Sequence, residues 1–299
     1  QMCIRDRFLC MYCKIALLII YNHRYDANIS RLEEIYKGRF QYIFHIVPFY
    51  DGNVENVIPI YEHSHYFSGY IAQAWSHLKD DGFTHFFIVA DDMMLNPVVS
   101  EWSLFDSLGI SERDCFMHEF LILQERERYW PGILTAFGWN PNVKGIEVMK
   151  MLPSIEEWRK RFDMYGLPYF KIPLKRLLAN PRKKDWLRML RQKRDLKYPL
   201  VAGYSDIFIV TADVMEKFAQ YCGIFAATRL FVEIAIPTAM VLASDHIKTN
   251  KDVKLKGGAM WDDGDFLILK PYNNKLANLM NEFPEDKFYL HPIKLSKWH

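Results

Sequence analysis

Nearly continuous apolar runs alternate with helical periodicity in the first hundred residues. The runs at 15–21, 42–47 and 84–90 contain no Asp, Glu, Lys or Arg, which is typical of strands buried on both faces of a parallel sheet. A shorter strand is predicted near 57–61. Two helices are predicted, one at 66–78 and one that ends at Gly38 and has apolar residues at helical spacing: Ile29, Leu32, Ile35 and Tyr36.

This order of elements predicts an α/β domain, with a mostly parallel, Rossmann-like sheet flanked by helices and joined by right-handed crossovers. Later in the chain, 203–210 is predicted to return to the sheet, 212–221 and 230–242 to be helical, and 266–269 to form a late strand. Ligands of such sheets bind at the carboxyl ends of the strands. Polar residues that follow the predicted strands are therefore candidates for a binding site.

The middle of the chain differs from the rest in charge. Residues 145–200 are predicted to form a helical, basic insertion within a single domain that spans 14–299. From 171 to 197, Lys and Arg far outnumber the acids, which are Asp185 and Asp195. This charge pattern fits a solvated helical face, and it also fits contact with an anionic acceptor, a glycan or a lipid surface.

Composition and the amino terminus narrow the class of protein. Half of the 299 residues are hydrophobic and the net charge is +2, so we expect a globular chain without general affinity for nucleic acid. The five cysteines lack zinc-site spacing, and their odd number favours reduced thiols in a cytoplasm.

The run at 15–20 is too short to span a bilayer, which needs about 20 residues. Residues 1–7 resemble translated sequencing-adapter sequence, so 1–13 are interpreted as a non-native leader, with Met11 as a candidate start.

Asp91 and Asp92 follow the most apolar of the predicted strands. Two adjacent carboxylates at the end of a buried strand are costly unless something positive meets them. A divalent cation does so through oxygen ligands, and it also neutralises a departing diphosphate. The alternative is a pair of acids in an exposed turn or at a helix amino terminus.

The stretch from Phe83 to Pro97 resembles the DxD region of GT-A-fold glycosyltransferases. The resemblance implies a GT-A fold and a manganese or magnesium ion that binds the nucleotide-sugar at the acidic motif. Ala90 stands where the family has its first aspartate if Asp92 takes the last place. Asp92 is then the implied metal ligand, and Asp91 is implied to contact the ribose or the metal.

The carboxyl terminus carries a second resemblance. His291, Lys297 and Trp298 resemble the H-x5-K-P-W ending of the galactosyltransferase and glycogenin type of GT-A enzymes, although the proline before the tryptophan is missing. The resemblance implies that His291 completes the metal ligands and that Lys297 binds the diphosphate. Lys294 is a second candidate for that task. The alternative is a frayed tail with an unrelated histidine.

Two acids in the second half are candidate catalytic residues. Asp206 lies in a Gly-Tyr-Ser-Asp segment, and Glu233 is the only acid of a strongly apolar run, so each needs a partner or a raised pKa. GT-A enzymes often place an acid in this late region, as the inverting base or on an acceptor hydroxyl. A buried, hydrogen-bonded acid is the alternative for both.

Further nucleotide contacts are expected near the first strands. Asn22 and Arg24 follow the first strand and are predicted to meet base, ribose or phosphate, with capping of the next helix as the alternative. Glu62 and Ser68 lie where GT-A proteins often touch the nucleotide.

The sequence thus predicts a hexose-transferring glycosyltransferase that uses a nucleotide-sugar donor and a glycan or lipid-linked acceptor. Its expected location is the cytoplasm, or the inner face of the membrane through the basic stretch 171–197. The tail resembles retaining enzymes, whereas Glu233 suits an inverting base, so both outcomes stay open. A sugar nucleotidyltransferase is a weaker alternative because the loop 21–26 has no glycine. An inactive relative that only binds glycan or protein is the other alternative, and Ala90 favours it.

Overall fold

The computed structural model describes residues 13–125, 131–169, 196 and 198–299. These residues form a mixed seven-stranded sheet flanked by helices, together with a three-stranded sheet. The predicted α/β class and mostly parallel sheet are confirmed. The strands are, in chain order, β1 Ile15–Ile20, β2 Tyr42–Pro48, β3 Val57–Ile60, β4 His85–Ala90, β5 Met94–Leu95, β6 Cys115–Met117, β7 Ile207–Thr211, β8 Ile247–Lys248, β9 Lys256–Ala259 and β10 Lys287–His291.

Helices cover both faces of the large sheet. Alternate residues of β1 belong to different cores: Leu17 lies in the cluster that contains Leu32, and Leu18 lies in the cluster that contains Tyr70. All six residues of β1 and of β4 are buried, as their apolar sequences predict. The described α-helices are α1 Asp26–Tyr36, α2 Ser68–Leu78, α3 Leu104–Leu108, α4 Pro131–Leu134, α5 Ile155–Met164, α6 Ala212–Ala227, α7 Val232–Ala243 and α8 Leu276–Asn281.

The large sheet has the strand order β3-β2-β1-β4-β7-β6-β8. The strands β3, β2, β1 and β4 run parallel to one another, and β7 runs antiparallel to both β4 and β6. The residues that precede β7 therefore lie at the same edge as those that follow β1, β4 and β6. We call this the carboxyl edge of the sheet.

The small sheet holds the carboxyl-terminal tail against the carboxyl edge. Its central strand β10 pairs antiparallel with β5 and parallel with β9. The guanidinium of Arg31 on α1 donates to the carbonyls of Leu295 at 2.6 Å and Trp298 at 2.8 Å. Trp298 is itself buried. The tail is an ordered part of the fold, so the alternative of a frayed tail is wrong.

One predicted strand and several boundaries differ from expectation. Residues 266–269 belong to the 3-10 helix Asp265–Tyr272, so the predicted late strand is wrong. Phe266 and Leu267 are exposed, so these apolar side chains do not mark a buried strand. The strand predicted at 203–210 begins only at Ile207, and the helix predicted at 212–221 continues to Ala227.

The predicted basic insertion is described only in part. Between 145 and 169 the helical residues are the 3-10 turn Met149–Met151 and α5, where the side chain of Ser154 accepts from the amide of Glu157 in a capping box. The basic stretch 171–197 lies outside the described residues, apart from Leu196. None of the helices in the described part of the chain combines the length and the hydropathy required to cross a membrane.

Trp158 of α5 is the main anchor of this helix, and its replacement tests the packing. The side chain is fully buried, and its indole N–H donates to the carbonyl of Pro199 at 2.7 Å. We expect Trp158→Ala to lower the free energy of unfolding by about 3–5 kcal/mol because it leaves a large cavity. Denaturant titration of the wild type and the variant measures this difference in the free energy of unfolding. Trp102→Ala, at a 65% exposed position, serves as control and should change it by less than about 0.5 kcal/mol. A loss near the control value for Trp158→Ala would contradict the assigned packing.

Candidate functional site

The carboxyl edge brings together residues that are far apart in sequence. Asn22 follows β1, Asp92 follows β4, and Asp206 immediately precedes β7. The amide of Ala90 donates to the carbonyl of Asp206 at 2.9 Å, which extends the β4–β7 pairing to the edge. A small, closed pocket lined by Asn22, Ala90 and Asp206 lies between these strand ends, and it has no room for a water molecule. Two of the predicted site residues therefore share one pocket.

Asp91 is the last paired residue beyond β4. Its amide donates to the carbonyl of Ile20 at 2.9 Å, and one carboxyl oxygen accepts from the side-chain amide of Asn28 at 3.2 Å. The carboxyl group is buried. Burial, and next the negative charge of Asp92, raise the pKa of Asp91 to about 7. Asp91 is therefore held inward by the fold, and positive charge at this edge would favour its ionised form.

Asp92 contacts the tail directly. Its Oδ1 lies 2.8 Å from Nε2 of His291, and its backbone carbonyl accepts from the amide of Ile293 at 2.6 Å. The other ring nitrogen of His291, Nδ1, lies 2.5 Å from the hydroxyl of Tyr204. The two residues that the resemblance assigns to one metal ion are thus in direct contact with each other. Tyr204 orients the imidazole from behind, as partners of metal-binding histidines do.

The charges of this cluster influence one another. Burial alone would lower the pKa of His291, but the hydrogen bond to Asp92 and the negative charges of Asp206 and Asp91 outweigh it and raise this pKa. Burial raises the pKa of Asp206, and repulsion from Asp92 adds to the shift. Burial raises the pKa of Tyr204 well above that of a free phenol, so its hydroxyl stays protonated. Three carboxyl groups thus share one imidazole as their nearby positive partner.

A cation at this edge would have to take part of its ligands from a substrate. Within the described ranges, no three His, Cys, Asp or Glu side chains converge into a complete metal-binding group. Magnesium commonly binds through one or two carboxylates, several waters and the phosphates of its substrate. Asp92 and His291 would supply the protein ligands in such an arrangement. His291 must then lose the proton on Nε2 and turn from Asp92 toward the ion, while Nδ1–H donates to Tyr204.

An aromatic layer lies beside His291, and the motifs of the sequence gave no indication of it. The rings of Tyr204 and Tyr289 are stacked, with centroids 6.1 Å apart, and the hydroxyl of Tyr289 lies 3.0 Å from Nδ1 of His118, the residue after β6. A Cβ on Gly257 of β9 would lie 2.3 Å from the His118 ring, so only glycine allows this approach. Apolar periodicity identified the strands but not which aromatic rings meet at their ends.

A second aromatic pair lies at the ends of β2 and β3. Phe49 and Tyr61 follow these strands, are 59% and 66% exposed, and meet edge to face with centroids 5.9 Å apart. Phe49 has a φ of 52°, a left-handed conformation that costs a non-glycine residue about 1–2 kcal/mol. Such strain often accompanies function. The sequence analysis did not single out Phe49.

The predicted nucleotide contact Arg24 is engaged in a surface network. Its guanidinium pairs with Asp26 at 2.9 Å and with Asp51, which follows β2. It also donates to the carbonyl of Phe49 at 3.3 Å. Arg24 therefore ties the loop after β1 to the loop after β2, and it must release an acid before it can bind a phosphate.

An ion pair of Glu62 and the burial of Ser68 both disfavour nucleotide binding at these side chains. The carboxylate of Glu62 lies 3.1 Å from the guanidinium of Arg229 and accepts from the amide of His63. The side chain of Ser68 is fully buried at the start of α2, so it is inaccessible to a nucleotide in this conformation. These two predicted contacts do not face the pocket of Asp206.

The tail lysines and Glu233 are connected to the cluster through the backbone of neighbouring residues. Lys294 and Lys297 are both exposed, and Lys294 follows Ile293, whose amide binds the carbonyl of Asp92. Glu233 lies in the first turn of α7, and its carbonyl accepts from the amide of Gly203 at 2.8 Å, next to Tyr204. The backbone thus brings the start of α7 to the loop that carries Asp206.

Comparisons of the chain with models of protein families, with curated proteins and with solved structures return no match.

The pKa of His118 predicts a pH dependence of stability. Burial lowers this pKa to about 4 in the folded protein, compared with about 6.5 in an unfolded chain. Between these values the unfolded chain binds a proton that the folded protein does not, so His118 lowers stability as pH falls from about 6.5 to 4. We expect His118→Gln to reduce this slope by up to about 1.4 kcal/mol per pH unit.

Denaturant unfolding measured at several pH values gives the two slopes. His77→Gln is the matched control because His77 is exposed, and it should leave the slope unchanged. Identical slopes for wild type and His118→Gln would show that His118 is not held neutral by the fold.

Proposed function

We propose that this protein is a nucleotide-sugar-dependent glycosyltransferase of the GT-A type, with its active site at the carboxyl edge. The observation that carries the proposal is the cluster of Asp91, Asp92 and Asp206 around His291. Acids buried at strand ends require positive charge. A divalent cation with a nucleoside diphosphate provides it in a form that the donor set fits.

In this proposal Asp92 and His291 hold the cation, and the diphosphate supplies further oxygen ligands. The bound ion would neutralise the charge that develops on the departing diphosphate. Lys294 and Lys297, exposed on the adjacent tail, would add positive charge to the diphosphate site. Asp91 stays inward on Asn28 and increases the negative potential that attracts the ion.

The exposed pair Phe49 and Tyr61 is suited to the base of the nucleotide. Flat aromatic faces bind every base by stacking, because each base has a π surface. Asn22 follows β1, which lies between β2 and β4 in the sheet, and a ribose would lie there between base and diphosphate. Arg24 would meet the nucleotide only after leaving Asp51.

Asp206 lines the pocket at the carboxyl edge, and the backbone of Glu233 contacts Gly203 in the loop that carries Asp206, so these two acids are the candidates for the sugar and the acceptor. Burial raises the pKa of Asp206, so this carboxyl group could hold a proton beside the reacting sugar. Positive charge that develops on the sugar in an oxocarbenium-like transition state would favour nearby carboxylates. We assign Asp206 to the reacting sugar and Glu233 to the acceptor.

An inactive binding protein is the second candidate function. It is favoured by Ala90, which replaces an acid of the family motif, and by the direct contact of Asp92 with His291. Such a protein would bind glycan or nucleotide without the cation. The effect of manganese on nucleotide affinity therefore separates the two functions.

The substitution Asp92→Asn tests the proposal. We expect manganese to tighten binding of UDP, GDP or CDP to the wild type by at least about tenfold, and we expect Asp92→Asn to abolish this gain. Isothermal calorimetry measures the affinities, and the shift in melting temperature gives a second readout because a ligand of the native state stabilises it. Asp80→Asn, an exposed position before β4, is the control and should behave as the wild type.

The transferase proposal is wrong if the wild type binds UDP, GDP and CDP with the same affinity with and without manganese. That result would favour the binding protein. Manganese could still tighten nucleotide binding to His291→Gln but not to Asp92→Asn. In that case the role of the tail in binding the ion would be wrong, and the role of Asp92 would stand.

A further inference from the structure

Trp261 is the most exposed large hydrophobic side chain of the described residues, at 70%. It follows β9 by two residues, and the last residue of β9, Ala259, pairs with His291. The amide of Met260 donates to the carbonyl of His291 at 2.8 Å. The exposed indole is therefore attached by backbone pairing to the histidine of the acidic cluster.

The indole is held in a defined position although it faces solvent. Its ring meets Tyr204 edge to face, at a centroid distance of 5.8 Å and an angle of 85°. Its amide donates to the carboxylate of Asp265 at 2.8 Å, and that carboxylate also accepts from the amide of Asp262. Tyr204 in turn contacts His291. The ring of Tyr204 and the carboxylate of Asp265 already hold Trp261 in place. The side chain therefore loses little conformational entropy when a ligand binds to its exposed face.

The charges around Trp261 select the kind of ligand. Asp262, Asp263 and Asp265 immediately follow it, and all are exposed. An anionic nucleotide would be repelled there, whereas the hydroxyl groups of a neutral sugar find acceptors in these carboxylates. The apolar C–H face of a pyranose ring fits the flat indole.

We propose that Trp261 is the stacking platform for a neutral sugar ring of the acceptor glycan, beside the acidic cluster. The assignment of this sugar ring to the acceptor rests on the proposed function. The direct binding of a neutral sugar to Trp261 needs neither manganese nor nucleotide. Trp261 is thus a specificity-determining residue, and the reacting atoms belong to the Asp92–His291 side.

Titration with neutral oligosaccharides tests the platform. Maltotriose, lactose and diacetylchitobiose serve as probes, without manganese or nucleotide. We expect at least one to shift the tryptophan emission of the wild type to shorter wavelength and to show saturation transfer to its ring protons. Trp261→Ala should weaken that binding by about tenfold and remove the spectral shift, while Trp261→Phe keeps most of the affinity.

Trp102→Ala is the matched control, since Trp102 is similarly exposed but lies on the loop before α3, and it should bind as the wild type. If a probe binds the wild type but manganese leaves the nucleotide affinity of the wild type unchanged, the proposed function fails and the platform stands. The platform is overturned if no probe binds the wild type more tightly than Trp261→Ala. It is equally overturned if Trp261→Ala loses affinity for UDP, GDP or CDP while its sugar binding is unchanged.

Discussion

The crowding of three acids at the carboxyl edge, one of them buried, is the constraint on which the site depends. The amide of Asp91 pairs with β1, so the chain direction leaves two consecutive carboxyl groups at the end of a strand buried on both faces. Asp206 is added to them because β7 runs antiparallel and starts at that edge. Such a group of acids is stable only with protons, positive side chains or a bound cation nearby.

The tail supplies the positive side chain through the small sheet. β10 pairs with β5, which begins directly beyond Asp92, and this pairing delivers His291 to the carboxylate. Arg31 and Trp298 secure the end of the chain. The same sheet carries β9 and hence Trp261 to the other side of His291. One small sheet thus positions the histidine, its aromatic support and the proposed sugar platform.

The sequence predicted the scaffold well because buried parallel strands have nearly unbroken apolar runs, as in β1 and β4. It also paired Asp92 with His291, through a resemblance and not through local physics. It failed at 266–269, where exposed apolar residues imitate a strand. It also missed Asn28, Phe49 and the contact of Tyr204 with His291. These contacts depend on which chain ends meet, and spacing along one segment carries no such information.

The central claim is that the acidic cluster and His291 hold a divalent cation together with a nucleoside diphosphate. Anomalous scattering from manganese in crystals grown with manganese chloride and UDP or GDP tests it most directly. We expect a single strong peak about 2 Å from Asp92 and His291, with diphosphate oxygens completing the ligands. A nucleotide bound at the carboxyl edge with no manganese peak beside Asp92, or a peak only elsewhere, would contradict it.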